Sequence, residues 1–283
     1  MSTSTTGWLS RGGAPTAAAK GGGAGGFVCE NVSLSFPTGT GHTRLVLGPL
    51  DLSIAPGQFV SLIGGSGVGK TSLLRVLGGL HRPDPTSHVS YGGQGVSGPP
   101  AGVVTVFQDY ASSLLPWRTA QQNIELGIEQ TCDKKERRER AREALEMIGL
   151  TRYASSYPWQ LSGGQQQRVQ IARAVVTRPT ALMMDEPFGA LDAMTKASLQ
   201  DSLLRIHAET RTTVVFVTHD IDEAVYLGDR VIMLAGSPGA VAVDAEITLP
   251  RPRHQVTTKE APEYLRIRHL LYSALRESHE NAS

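Results

Sequence analysis

The amino-acid sequence predicts an α/β protein built on a mainly parallel β-sheet with helices on both faces. Three observations carry this. ALMMD (181–185) and TVVFVTH (213–219) are near-continuous apolar runs, the pattern of strands covered on both sides. Between them, Leu199, Leu203 and Ile206 recur at helical spacing over 193–209. A glycine-rich turn, GGSGVGKT at 64–71, follows a third apolar run, FVSLIG, and opens another helical stretch.

In chain order, residues 1–26 come first. They hold 8 of the 31 glycines, with Arg11 and Lys20 the charged side chains. Such a segment buries too little surface to offset its ordering entropy. It is expected to be a disordered tail; the other reading is a short peptide that docks on a partner through Trp8 and Leu9. Structure is expected from Phe27, where FVCENVSLSF alternates as a strand. LVLGPLDLSI (45–54) is a second strand, followed by a Pro56-Gly57 turn and the buried strand FVSLIG (59–64). Residues 70–80 read as a helix, SHVSYGGQGVSG as short strands with glycine turns, and VVTVFQ as another apolar strand.

From Asp109 to about Arg178 helix predominates. DKKERRERAREALEMIGL gives a helix over 134–148, with Ala141, Ala144, Leu145 and Ile148 facing a core. Its charged half reads as a solvated face, with RNA contact as the rival. VIML (231–234) is a last short strand, and a helix is expected over 262–278 after the sheet pattern stops at Arg253. No internal repeat is found.

Composition excludes several classes. With 27 basic and 26 acidic side chains in 283 residues, there is no basic excess of the kind a dedicated nucleic-acid binder shows. Two cysteines, Cys29 and Cys132, do not make a disulfide scaffold or a zinc cluster. No apolar run is long enough to span a bilayer, and the first residues lack the apolar core of a secretory signal. A soluble cytoplasmic protein is expected.

Four motifs carry chemistry. The first is the turn of Gly64, Gly65, Ser66, Gly67, Val68, Gly69, Lys70 and Thr71, which fits G-x-x-x-x-G-K-[ST] in its strand-to-helix context. Glycines let the backbone curl so that its N–H groups point inward, and the helix N-terminus adds a positive field for phosphate. Lys70 is expected on the β- and γ-phosphates and the Thr71 hydroxyl on Mg²⁺. The second is Asp185-Glu186 at the end of a buried strand. Asp185 can hold the ion or its water, and Glu186 can polarise a water as general base. A helix cap is the structural rival. The third is His219, which ends TVVFVTH at the expected ligand edge of the sheet, as a γ-phosphate sensor or a core histidine. The fourth is LSGGQ, where Ser162, Gly163 and Gly164 start a helix running to about Arg178, a second anion-binding geometry. A second copy of the chain facing it could supply the phosphate.

With these residues in this order, the chain resembles the ATP-binding subunit of an ABC transporter. Leu161-Ser162-Gly163-Gly164-Gln165 looks like that family's signature. Gln108 resembles the Q-loop residue that coordinates magnesium, Asp185 and Glu186 the Walker B aspartate and catalytic glutamate, and His219 the switch histidine. Gly189 to Asp192 resembles the D-loop, Ser72 closes the phosphate-binding turn, and Phe36 resembles the aromatic that stacks on adenine, with a core role as its rival.

The resemblance covers about 27–253. It implies a P-loop NTPase (RecA-like) core, a small antiparallel β subdomain, an inserted α-helical subdomain over about 110–175, and a helical extension over 254–283. It implies ATP and Mg²⁺ as ligands and a head-to-tail dimer with two ATPs between copies. Each ATP would meet Gly64–Thr71 of one copy and Ser162–Gln165 and Asp192 of the other. Transmembrane permease subunits and, through them, a periplasmic or lipoprotein substrate-binding protein would be partners, and no nucleic acid. The place of action would be the cytoplasmic face of the membrane.

Within the family, FQDYASSLLPW, MDEPFGALDAMT, FVTHDIDEAVYLGDRVIML and LPRPR resemble the importer branch for nitrate, taurine and alkanesulfonates. Another importer, an exporter, or a soluble non-transport ABC protein are the alternatives. Leu114 to Trp117 would meet the membrane subunit, with core packing as the rival for Trp117. Gly64-Gly65 stands where that branch usually has Gly-Pro, Thr71-Ser72 where it has Ser-Thr, and Gln165–Gln167 where a Met-Lys-Gln run is common.

Overall fold

The computed structural model describes residues 25–39, 41–108 and 113–280. The expected tail over 1–26 lies outside the described residues except for Gly25 and Gly26. Those two already take part in the fold: the Gly25 carbonyl accepts from Thr213 Oγ1 at 2.9 Å, and the Gly26 carbonyl from the Gly92 amide at 2.9 Å.

Two sheets build the molecule. Strands β1 (Phe27–Pro37), β2 (Thr43–Ile54), β4 (His88–Tyr91) and β5 (Gln94–Gly95) form an antiparallel sheet in the order β2-β1-β4-β5. Strands β3 (Phe59–Gly64), β6 (Val103–Val106), β7 (Ala181–Asp185), β8 (Thr213–Val217), β9 (Arg230–Ala235) and β10 (Ala240–Glu246) form the second, in the order β10-β9-β3-β8-β7-β6. Five of its strands are parallel, and β10 closes the edge antiparallel to β9. Every residue of β3, β7 and β8 is buried, as a strand covered on both faces requires.

Helix α1 (Lys70–Leu77) follows β3. It stops short of the expected residue 80 because Gly78 and Gly79 follow, Gly79 with φ +68°. A helical region follows β6: α2 (Ala120–Leu126), α3 (Lys134–Met147) and α4 (Gly163–Val175). Residues 109–112 at its start lie outside the described residues. In α3 the expected stripe of Ala141, Ala144 and Leu145, with Ile148 just beyond, is buried to 2% exposure or less. Helix α4 ends at Val175, before Arg178 (φ +53°) and Pro179. The remaining helices are α5 (Ala193–Thr210), α6 (Ile221–Leu227) and α7 (Pro262–Glu280).

Two apolar cores flank the parallel sheet. One joins it to α2, α3, α4 and α7; the other joins it to α1 and the antiparallel sheet. The order β3-β8-β7-β6 matters most for the site. These are four adjacent parallel strands, so their C-terminal ends deliver the phosphate-binding turn, His219, Asp185-Glu186 and Gln108 to one edge.

Candidate active site

The turn after β3 is built on three left-handed glycines, Gly64 (φ +145°), Gly67 (φ +75°) and Gly69 (φ +107°). Two also make close backbone approaches. A Cβ on Gly64 would sit 2.3 Å from the Leu234 carbonyl of β9, and one on Gly69 would sit 2.5 Å from Leu47 Cδ2. Ser66 and Gly67 form the exposed tip, Gly65 is half-buried, and Val68 is buried beside Gly239. Lys70 is buried, and its ammonium donates to the carbonyls of Gly64 at 2.8 Å and Gly65 at 2.9 Å, bridging the turn it belongs to. Burial lowers the Lys70 pKa, while the charges of Glu186 and Asp185 work the other way. Ser72 lies half-buried one position beyond Thr71 on α1.

Thr71 Oγ1 donates to Asp185 Oδ1 at 3.0 Å, so the first turn of α1 and the end of β7 meet through these two side chains. Asp185 is 3% exposed. Burial raises its pKa, the Thr71 bond opposes that, and the Glu186 charge adds to it. Glu186 is not a strand residue. It has φ +46°, and its amide donates to the Val217 carbonyl of β8 at 3.0 Å. Left-handed backbone at a non-glycine residue costs about 1–3 kcal/mol and turns this side chain out of the strand direction. The left-handed turn, and not the alternation of side chains along a strand, sets this direction.

Glu186 Oε2 meets two partners, Gln108 Nε2 at 3.3 Å and His219 Nδ1 at 3.2 Å. His219 lies two residues past β8 and its side chain is 69% exposed. An open cavity of about 690 Å³ adjoins this group, lined by Thr71, Arg75, Gln108, Gln170, Arg173 and Asp185. Gln170 and Arg173 were not singled out from the sequence. They stand three apart on α4, hence on one helix face. Gln170 Nε2 donates to the Phe107 carbonyl at 3.0 Å and Arg173 Nη1 to the Ser113 carbonyl at 2.7 Å, fixing the backbone on both sides of Gln108.

Other expected site residues lie apart from this group. Ser162 and Gln165 cap α4 reciprocally: Ser162 Oγ accepts from the Gln165 amide at 3.3 Å, and Gln165 Oε1 from the Ser162 amide at 2.8 Å. Gly163 and Gly164 open the helix, and Gly164 packs so closely on Ala190 and Leu191 that a Cβ would lie 3.2 Å from the Ala190 carbonyl. Among the described residues no hydrogen bond or ion pair joins 162–165 to 64–72. Asp192 caps α5, accepting from the Thr195 amide at 3.0 Å, and such backbone bonds lower its pKa. Phe36 is half-buried on β1, edge-to-face with His81 at 5.5 Å between ring centres. Trp117 is 69% exposed, which removes core packing as its role, whereas Leu114 is buried in the core and not available to a partner.

The sequence model described as ABC transporter matches residues 47–189. The chain belongs to the ABC transporter family. This ABC protein is 45% identical over 229 residues to the aliphatic sulfonates import ATP-binding protein SsuB 1 of Xanthomonas axonopodis pv. citri, covering 79% of this chain and 90% of that one. It is 44% identical over 243 residues to the bicarbonate transport ATP-binding protein CmpC of Synechococcus elongatus, covering 84% of this chain. It spans 36% of the length of CmpC. Among solved structures, the dimeric ATP-binding cassette MJ0796 in a post-hydrolysis state bound to ADP and Pi superposes with a TM-score of 0.70 at 34% identity, over 78% of this chain and 98% of that one. The fold of this ABC protein is therefore a RecA-like P-loop NTPase core with antiparallel β and α-helical subdomains.

Proposed function

We propose that this chain is the ATP-hydrolysing subunit of an ABC importer for a small anion or organosulfur compound, of the nitrate, taurine or alkanesulfonate class. The observation that carries the reading is the convergence of Gln108 and His219 on Glu186, beside the Lys70, Thr71 and Asp185 cluster. The names of SsuB 1 and CmpC, an aliphatic sulfonate importer subunit and a bicarbonate transport subunit, support the substrate class.

Gly64 to Thr71 bind the phosphates of ATP through backbone N–H groups and the field of α1. Lys70 exchanges its two carbonyl partners for β- and γ-phosphate oxygens. Phe36 offers an aromatic face to the adenine. Glu186 accepts a proton from the attacking water, and His219 and Gln108 fix the carboxylate oxygen that they share. The residues suit Mg²⁺: Asp185 is a buried carboxylate whose side-chain donor among the described residues is a single hydroxyl, and Thr71, Asp185 and Gln108 offer hard oxygen donors. Those three would hold the ion, which when bound neutralises charge on the β- and γ-phosphates.

The signature turn, Ser162 to Gln165, together with Asp192, serves the ATP of a second copy packed head to tail. Its separation from residues 64–72 of its own chain and the dimeric state of MJ0796 support this. Among the described residues no helix is long and apolar enough to cross a membrane. In the importer reading, permease subunits carry the substrate path, supplied by a periplasmic or lipoprotein binding protein. The chain works against their cytoplasmic side, with Leu115 to Trp117 as its docking surface and Trp117 as the exposed aromatic contact. The test is copurification with the membrane partner, followed by ATPase assays across nitrate, bicarbonate, taurine and alkanesulfonates. One compound that stimulates hydrolysis through its binding protein is expected; no stimulation by any of them overturns the substrate class.

A further inference from the structure

We infer that Lys196 and Glu223 are a positioning pair that sets the reach of His219 toward Glu186 and links it to the Asp192 segment. The inference rests on the ATPase reading above. His219 is itself exposed and meets Glu186 across the sheet edge. Its two neighbours, by contrast, are tied down. Thr218 is 2% exposed, and its hydroxyl donates to Glu223 Oε2 at 2.6 Å. The Asp220 amide donates to the Thr218 hydroxyl at 3.0 Å. Asp220 Oδ1 accepts from the amides of Asp222 at 2.9 Å and Glu223 at 3.2 Å, capping α6.

Lys196 joins this group from another element. Its Nζ lies 2.9 Å from Glu223 Oε1 and 3.5 Å from Asp220 Oδ2. Burial works against the ammonium, but the hydrogen bonds and charges of Glu223 and then Asp220 together more than offset it, and the Lys196 pKa is raised. Lys196 stands in the first turn of α5, where its amide donates to the Asp192 carbonyl at 2.8 Å. Glu223 is 5% exposed, and a carboxylate so buried needs a charged partner to stay ionised. An apolar residue at 223 could pack α6 equally well. The Glu223 carboxylate holds Lys196 on one oxygen and Thr218 on the other. Displacement of the Asp192 end of α5 thus moves both residues that flank His219.

The experiment measures steady-state ATP hydrolysis with Mg²⁺ and thermal melting of the full chain and three variants. K196M is expected to lower kcat by about tenfold to hundredfold, as misplacing a catalytic group does, with KM within about twofold of wild type. Its Tm also falls, because Glu223 is left unpaired. K196R, which keeps the ion pair, recovers most of the kcat. K196M/E223M removes both charges; its Tm returns toward wild type while its kcat stays low. Recovery of kcat together with Tm in the double variant would show a purely structural pair and overturn the inference. So would a K196M kcat within about twofold of wild type. A wild-type chain that does not hydrolyse ATP overturns the ATPase reading itself, a distinct result.

Discussion

His219 Nδ1 and Glu186 Oε2 lie 3.2 Å apart, joining the ends of two neighbouring strands of the parallel sheet. The same carboxylate oxygen lies 3.3 Å from Gln108 Nε2 at the end of a third strand. The carboxylate proposed to activate water is therefore held from two sides, by His219 and by Gln108. H219A should lower kcat by about a hundredfold and leave the affinity for ATP near wild type, checked by phosphate release and nucleotide titration.

Thr71 has two proposed uses, which are read by separate measurements. T71A removes the hydroxyl proposed as a metal ligand and leaves buried Asp185 without the hydroxyl that donates to it. A loss of about 1–3 kcal/mol in the nucleotide-free protein is expected, together with loss of the gain in ATP affinity that Mg²⁺ confers. T71S keeps the hydroxyl and should keep both properties. Urea unfolding and ATP titration with and without Mg²⁺ check this.

The pH dependence of Asp185 follows from its burial. Its folded pKa lies above the unfolded value of about 4. The native state then holds the proton more tightly than the unfolded state, so this group's contribution to stability falls as pH rises through that window. D185N lacks the charge. It should melt above wild type at pH 8 without metal or nucleotide, and the gap should close as the pH approaches that of the unfolded carboxyl. A gap that widens toward acid would contradict the sign.

Much of the fold was legible because its signals are local or fully buried. Strands β3, β7 and β8 are buried at every position, so their apolar runs stand out. The phosphate-binding turn is written in 8 consecutive residues. Strand β10 was not legible, because it is an edge strand with no fully buried residue, and Val241, Val243 and Ala245 on its inner side are only half-buried. Helix α6 has 7 residues, too few to show a period. Sequence placed Glu186 beside Asp185, but its direction depends on a left-handed backbone held by the Val217 carbonyl of another strand. Lys196 and Glu223 stand 27 positions apart and meet only because the first turns of α5 and α6, which follow the neighbouring strands β7 and β8, come together. Gln170 and Arg173 likewise reach the carbonyls of Phe107 and Ser113 only through what α4 lies against.

Two glycines of the turn should differ sharply. G67A places its Cβ in open space, so its cost is the left-handed strain alone, about 1–2 kcal/mol. G64A adds a 2.3 Å clash with the Leu234 carbonyl and should be clearly less stable than G67A. Denaturant midpoints of the two variants decide the order.

The role of Glu186 as general base is the centre of the account, and E186Q tests it most directly. Glutamine keeps the size of the side chain and removes its capacity to take a proton. Phosphate release under saturating ATP and Mg²⁺ should fall by about 10²–10⁴-fold, while ATP still binds and now holds the chain as a stable dimer in size-exclusion chromatography. Wild-type turnover by E186Q would contradict the assignment.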